Sequence, residues 1–395
     1  MPELYDAIVI GGGPAGGSAA YFLAQAGMKA LVLEKEAPPR YKACGGGLSA
    51  GLLKQFPFSF EPVIETQARS IAYTLRGRTV RMPLPPQAMQ LVMRADFDAH
   101  LLAHSQAEVR TGVAVRKIIE EDDRVTVETA QGERLAARYL VGADGASSLV
   151  ARQLGLRRGK LLAAAIEVEA PAPPEVFARF ESAPLFIFGE VRLGYLWVFP
   201  KRQHLSVGIG ALHPMPGELQ NTLKRVMARY GIALDGLPLH GHPLPVYTRR
   251  ERLVTRRALL VGDAAGLIDP FSGEGIRFAI KSGRLAAQAI LAGDLERYQA
   301  QVQRTIGWNH LLGAALALLF YHAPGPCFQL GVRNPFATQA FVEMLSDRAG
   351  YGEVILRLFG TLPLFLLTEA AAGLAGLAWG PRGRQRVREA VYGTT

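Results

Sequence analysis

The sequence predicts an α/β fold, α+β overall, in which a Rossmann-like nucleotide-binding unit is interleaved with a mostly antiparallel β-sheet and followed by an apolar helical region. Three observations predict it. "YDAIVIGGGPAGGSAAYFLAQAGMKALVLEKE" reads as strand, glycine turn, helix and strand; "RALLVGDAAG" returns to a buried strand running into a turn far downstream; and a β-rich stretch lies between them.

Taken in order, the apolar run at 5–10 suits a buried parallel strand, helical spacing covers 15–26, and a strand at 30–33 closes on Glu34. Alternation at 71–82 and 109–140, around Gly77, Asp122 and Gly132, predicts hairpins, with a helix over 94–105 between them. From 161 to 213, "AAAIEVEA", "VFARFE", "LFIFGEV", "GYLWVFP" and "HLSVGIGAL" predict neighbouring strands of one sheet. Helices are expected at 217–230 and, after "RALLVGDAAG", at 274–291, so the nucleotide-binding unit resumes beyond the sheet. From Leu295 onward the reading is helical. "LLGAALALLFY" is too short to span a bilayer, whereas residues 358–379 have the length but hold Pro363, Glu369 and several glycines. An interfacial or lipid-tunnel helix is therefore expected ahead of a transmembrane one.

Hydrophobic residues make up 49% and charged residues 20%, which excludes a disordered or fibrous chain. The net charge of +10 suits anionic partners. Nucleic acid is not expected, because no basic recognition helix or aromatic-interleaved Lys/Arg stripe occurs; lipid headgroups fit better, with Arg382, Arg384, Arg386 and Arg388 directly after the apolar stretch. The two cysteines, Cys44 and Cys327, are far apart and suggest a reducing compartment without a thiolate metal site. Acidic residues before the first apolar run argue against a signal peptide. The expected location is cytoplasmic, peripheral at a membrane.

Gly11, Gly13 and Gly16 form a G-x-G-x-x-G between strand and helix. The first glycine makes the tight turn, the second admits a pyrophosphate to the backbone, and the third packs helix on strand. Glu34 stands where an acid binds a ribose hydroxyl, which favours FAD or NAD over NADP. "VGIGALH" lacks the third glycine and no other such motif follows a strand, so no separate nicotinamide domain is expected. An external electron donor, NADPH, NADH or ferredoxin, would dock transiently.

"GGGPAG...E", "RADFD", "VGADGASSLVAR" and "LLVGDAAGLIDPFSGEGIRFAI" stand in an order and spacing that resembles FAD-dependent monooxygenases of the para-hydroxybenzoate hydroxylase fold, over residues 1–300. "YKACGGGLS", "GYLWVFPK" and the apolar tail resemble the geranylgeranyl reductase branch, whose members saturate prenyl double bonds with FAD. The resemblance implies an FAD-binding domain from 1–55, 90–160 and 255–300, a substrate domain from 56–89 and 161–254, and a helical region over 301–395. It places FAD against Gly11, Gly13, Pro14, Ala15, Gly16, Glu34 and Lys35, with Val113 and Ala114 near the adenine. Arg94 would be a bidentate donor to the pyrophosphate or adenosine, or a surface arginine at a helix start. Asp144 would lie near the pyrophosphate or form a turn, and Asp263, after Gly262, would accept from ribityl hydroxyls or cap a helix. Gly273, Gly275 and Ile276 would open a helix whose amides face the flavin pyrimidine. Ala43, Cys44 and Gly45 would lie beside the isoalloxazine, with Cys44 as proton donor or as small packing residue.

Tyr195, Trp197 and Phe199 alternate along one predicted strand, so they share a face that is either core or the wall of a prenyl pocket. The family pattern PxxYxWxFP is met except at its first proline, where Arg192 stands. Arg192, Lys201 and Arg202 are expected to bind a diphosphate or phospholipid headgroup, or to be solvated. The implied reaction pairs hydride transfer from N5 of reduced FAD with proton delivery to the other alkene carbon of a prenyl lipid or prenyl diphosphate. The alternatives are an FAD-dependent monooxygenase or halogenase acting on an aromatic or lipid substrate, and a prenyl-lipid carrier without turnover.

Overall fold

The computed structural model describes residues 4–159, 161–345 and 347–392, which form three sheets and a helical C-terminal region. The apolar, fully buried run Ala7–Ile10 makes Leu4–Ile10 a central strand. It lies parallel to Ala30–Glu34 on one side and to Arg134–Gly142 on the other. Glu108–Thr111 adds a parallel strand outside Ala30–Glu34, and Val125–Thr129 and Val115–Glu120 extend the far side as antiparallel hairpins. Ala258–Leu260 rejoins this sheet by pairing in parallel with Arg134–Gly142. The helix that follows, Ile276–Leu291, packs on Pro14–Gln25 so closely that a Cβ at Gly283 would lie 2.4 Å from the Ala15 carbonyl oxygen.

The second sheet runs His240–Val246, Leu161–Ala170, Leu205–Leu212, Gly194–Pro200, Leu185–Phe188, Ser70–Leu75 and Arg78–Pro83. Only the pairing of Leu185–Phe188 with Ser70–Leu75 is parallel. Alternation divides its faces. Leu196, Val198, Val207 and Ile209 bury against Leu223, Val226 and Met227 of the helix Glu218–Arg229, which leaves Tyr195, Trp197 and Phe199 on the opposite face. A small third sheet, Gly47–Ser49, Met89–Val92 and Ile64–Gln67, sits beside that face.

The segment "VFARFE" is not a strand. Val176 and Phe177 belong to the helical turn Pro174–Phe177, and successive turns carry the chain to Ala183. Pro174 at the start of the turn presets a helical φ, and neither it nor Pro173 before it has an N–H for a strand ladder. Val176 and Phe180 still reach the core under the sheet, so the apolar spacing that looks like alternation serves turns instead.

Leu295–Val302, Trp308–His322 and Pro335–Leu345 lead to a long helix, Tyr351–Tyr392, which has the length and composition to cross a membrane. It is not continuous. Gly380 adopts φ 67° and ψ −163°, and beyond it the chain folds back. Arg388 pairs with Glu369 at 2.8 Å, the Tyr392 ring stacks on Phe365 with centroids 6.4 Å apart, and Gly383 rests against the Ala375 carbonyl. Residues 358–379 are thus one arm of a helical hairpin.

Candidate functional site

The glycine turn is built for close approach. Gly11 takes φ +103°, and a Cβ there would meet the Ala143 carbonyl at 2.4 Å; at Gly16 it would meet the Gly11 carbonyl at 1.8 Å. Pro14 and Ala15 open the helix behind this turn. Glu34 holds the turn directly, with Oε2 accepting from the Gly12 N–H at 2.7 Å. Lys35 points away and pairs with Glu36 on the surface. Val113 donates to the Glu34 carbonyl at 3.0 Å, and the Ala114 carbonyl accepts from Ala130 at 2.7 Å, which pins that loop beside the strand end.

Arg94 is buried and already bidentate on Asp98, with Nε–Oδ1 and Nη2–Oδ2 both 2.8 Å. Burial opposes its charge, yet Asp98 holds its pKa above the ordinary value. The cation closest to the bare Gly13 is instead Arg40, whose Nη2 lies 3.6 Å from the place of a Cβ there. Arg40 bridges Asp98 at 3.4 Å and Glu34 at 3.8 Å. Arg40 does not stand out in the sequence, where its only signal is a place four residues before Cys44, whereas Asp98 is the last residue of "RADFD", four after Arg94.

Asp144 caps the helix Leu149–Gln153, with Oδ2 accepting from Leu149 at 2.6 Å and Val150 at 3.1 Å. Its Oδ1 is buried without a partner. Gly262, at φ +55°, lets the turn touch Ala15, and Asp263 caps no helix with its side chain. Instead Asp263 faces His242 at 3.8 Å, and Lys42 Nζ lies 2.5 Å from the same His242 Nε2. Burial alone would raise the Asp263 pKa, but the His242 hydrogen bond and the Lys42 and Arg94 charges together hold it below its ordinary value. Lys42 is pushed down to about 8 by burial, against the pull of Asp263. The bare turn, the orphaned Asp144 oxygen and this chain of donors and acceptors fit an adenine dinucleotide.

Beyond them opens a cavity of about 550 Å³, inside the roughly 300–1,000 Å³ range of small-molecule sites. Ala43 to Ser49 and Ile268 to Ile276 line one end, and Tyr195, Trp197 and Phe199 line its wall. The glycines of "ACGGG" are already covered on one side: a Cβ on Gly45 would fall 2.8 Å from Phe199 and 3.0 Å from the Trp197 indole nitrogen. The segment is anchored from below. Lys201, only 1% exposed, donates to the carbonyls of Gly45 at 2.8 Å and Val92 at 2.7 Å. Lys201 is therefore neither a headgroup ligand nor a solvated residue, and burial lowers its pKa against the pull of Glu169. Arg202 donates to the Ile64 carbonyl at 2.7 Å. Arg192 is exposed and outside the cavity lining.

Tyr195 donates to the Ser272 carbonyl, and this ties the aromatic strand to the loop of Gly273, Gly275 and Ile276. Asp269 fixes the loop's other end, accepting from Phe271, Ser272 and, at 2.8 Å, from the Tyr351 hydroxyl of the long helix. Cys44 is half-buried at the cavity edge and accepts from the Gly46 N–H at 3.3 Å. The arrangement brings a mostly apolar chamber against a backbone segment bare enough for a flat ring.

The sequence profile of the FAD binding domain family matches residues 4–293. A geranylgeranyl diphosphate reductase of Rhodobacter capsulatus is 34% identical over 307 residues, 73% of this chain and 75% of that one. The chloroplastic geranylgeranyl diphosphate reductase of Oryza sativa subsp. japonica is 30% identical over 379 residues, 86% of this chain and 78% of that one. Among solved structures, a geranylgeranyl bacteriochlorophyll reductase-like protein from Thermoplasma acidophilum shares the fold, with a TM-score of 0.72 and 24% identity over 90% of this chain and 96% of that one.

Proposed function

The chain belongs to the geranylgeranyl reductase family of FAD-dependent oxidoreductases, and from that membership we propose that it saturates carbon-carbon double bonds of prenyl chains. The observation that carries the reading is the aromatic row of Tyr195, Trp197 and Phe199 walling a 550 Å³ cavity that ends on the Cys44–Gly45 segment. Reduced FAD supplies the hydride. The chain's own residues do the rest. Apolar lining excludes water from the reacting carbons, and aromatic faces stabilise positive charge on the more substituted carbon by about 0.5–2 kcal/mol each. Glu34, Arg40 and Asp263 would orient the nucleotide, Lys201 holds the Gly45 backbone in place, and Cys44 lines the cavity.

The described cavity lining contains no lysine or arginine and carries the acids Glu167, Asp269 and Glu274. With no lysine or arginine in that lining to pair with it, a diphosphate or other anionic head is not held there, so the prenyl tail enters and the head stays at the opening. The cavity is also lined by Ala314, Leu318 and Phe341 of the C-terminal helices, and this helical region leaves Leu319, Leu374 and Leu377 exposed. That apolar surface supports docking on a membrane, from which a lipid tail would enter directly. The electron donor reaches the flavin by transient docking.

The test is anaerobic. Dithionite-reduced holoenzyme mixed with geranylgeranyl diphosphate or a prenyl lipid is expected to reoxidise its flavin and return product heavier by two hydrogens per bond, seen by mass spectrometry. A hydroxylated product formed only in air would establish the monooxygenase alternative, and bound prenyl lipid that never reoxidises the flavin would establish a carrier.

A further inference from the structure

Among the acids of the cavity wall, Glu167 has no assigned role in the chemistry above. Glu167 stands on Leu161–Ala170, on the same strand face as Ala163 and Ala165, and all three line the cavity. Across the sheet its neighbours are Gly208 on one side and His240 on the other, and Trp197 is the next member of the row beyond Gly208. The indole occupies the space over Gly208: a Cβ there would lie 2.1 Å from Trp197 Cζ2. The carboxyl and the indole are therefore adjacent in the row.

Glu167 is 2% exposed. Ser206 donates to its Oε1 at 2.5 Å, whereas Oε2 is buried with no partner, and so is the indole N–H of Trp197. Unpaired polar atoms in an apolar chamber are retained at a cost in stability, which points to a use in the chemistry. Polar groups continue from there: Ser206 is the cross-strand partner of Glu169, and Glu169 Oε2 lies 2.8 Å from Nε2 of His204, two buried atoms on residues that are themselves partly exposed.

We propose that Glu167 is the acid that protonates the prenyl alkene, and that Ser206, Glu169 and His204 return its proton from solvent; the proposal rests on the reductase reading. In the step the carboxyl O–H bond breaks as a C–H bond forms at one alkene carbon. The hydride and its electron pair, from reduced FAD, form the C–H bond at the other carbon. The alkene is thereby reduced, FAD is oxidised, and a carboxylate is left to be reprotonated. Burial, aided by Glu169, lifts the Glu167 carboxyl to about 7, against the Ser206 hydrogen bond and the Lys201 charge. His240 and Tyr41, whose rings pack 4.3 Å apart, close the remaining side. An acid so placed keeps its proton near neutral pH and can release it in the transition state.

The experiment is single-turnover reoxidation of dithionite-reduced holoenzyme by geranylgeranyl diphosphate. Glu167→Gln is expected to keep its FAD and its reduction by dithionite, and to lose alkene-dependent reoxidation by about 10²–10⁴-fold. The wild-type limb with a midpoint near 7 should vanish with it. Infrared difference spectra across that pH range, on the same protein without substrate, should contain a titrating carboxyl band absent from the variant. Glu169→Gln, which leaves Glu167 in place but removes a charge that helps raise its pKa, should move the midpoint of that limb down and slow repeated turnover more than the first. Glu167→Gln reoxidising within a few-fold of wild type overturns the proposal and shifts the role to Cys44, as does an infrared band that survives the substitution. If wild type itself is not reoxidised by any prenyl substrate, the reductase reading fails first.

Discussion

Lys201 shows how far a single residue can depart from its sequence context. A lysine after a strand-ending proline is by default solvated, but its acceptors, the carbonyls of Gly45 and Val92, lie far away in sequence and only the assembled sheets bring them together. Lys201→Met should leave both carbonyls unpaired in a dry site and lower stability by about 2–4 kcal/mol, read as a shifted denaturant midpoint, with weaker FAD retention. Glu167 was illegible for the same reason, since its partners are cross-strand. Its pH behaviour follows from the raised pKa. Between the ordinary value of 4.5 and about 7 the folded chain keeps a proton that the unfolded chain has released, so stability falls as pH rises through that interval and stays reduced above it. Glu167→Gln removes this penalty. Its melting temperature should therefore gain on wild type between those pH values, and a constant difference would contradict the shift. The motif residues were legible because Gly11, Gly16 and Glu34 act within one local unit of the chain.

Period-two spacing places Tyr195, Trp197 and Phe199 on one face, and the strand Gly194–Pro200 forms as that spacing requires. What the spacing could not supply is the room those rings need, which comes from glycines on other elements: Gly208 under the indole and Gly45 against Phe199. The same period misleads at 176–181, where Pro173 and Pro174 convert apparent alternation into turns. Gly208 and Gly210 on Leu205–Leu212 provide a matched pair. Gly208→Ala would press a methyl into the indole at 2.1 Å, while at Gly210 the nearest atom is 3.6 Å away. Gly208→Ala is expected to displace Trp197 and cut prenyl turnover at least tenfold with FAD content unchanged, and Gly210→Ala to be nearly neutral; equal effects would return the aromatic row to ordinary core. Trp197→Ala should likewise impair reoxidation by alkene more than FAD binding.

At the scale of the whole molecule, the apolar and basic excess is not spread evenly. The helical hairpin after Tyr351 exposes Leu367, Leu374, Leu377 and Trp379, the last two at 86% and 75%, and Arg382, Arg384 and Arg386 follow them on its returning arm. Glu369, the acid that argues against a bilayer span in the sequence, is neutralised by Arg388 and Arg333, so the hairpin can lie against lipid without burying an unpaired charge. The cavity reaches the same helical region, being lined by Ala314, Leu318 and Phe341. Flotation with vesicles tests the arrangement. The full chain should float with anionic vesicles, release on raising salt, and bind neutral vesicles weakly. Replacing Arg382, Arg384 and Arg386 by Gln should weaken anionic binding by about a hundredfold or somewhat more, at roughly 1 kcal/mol per charge, while Arg388 is left to hold Glu369. Leu374→Glu with Leu377→Glu should abolish flotation and slow turnover of vesicle-embedded prenyl lipid but not of a detergent-dispersed one. Flotation that ignores both sets of substitutions would place the membrane contact elsewhere and leave the exposed hairpin without that role.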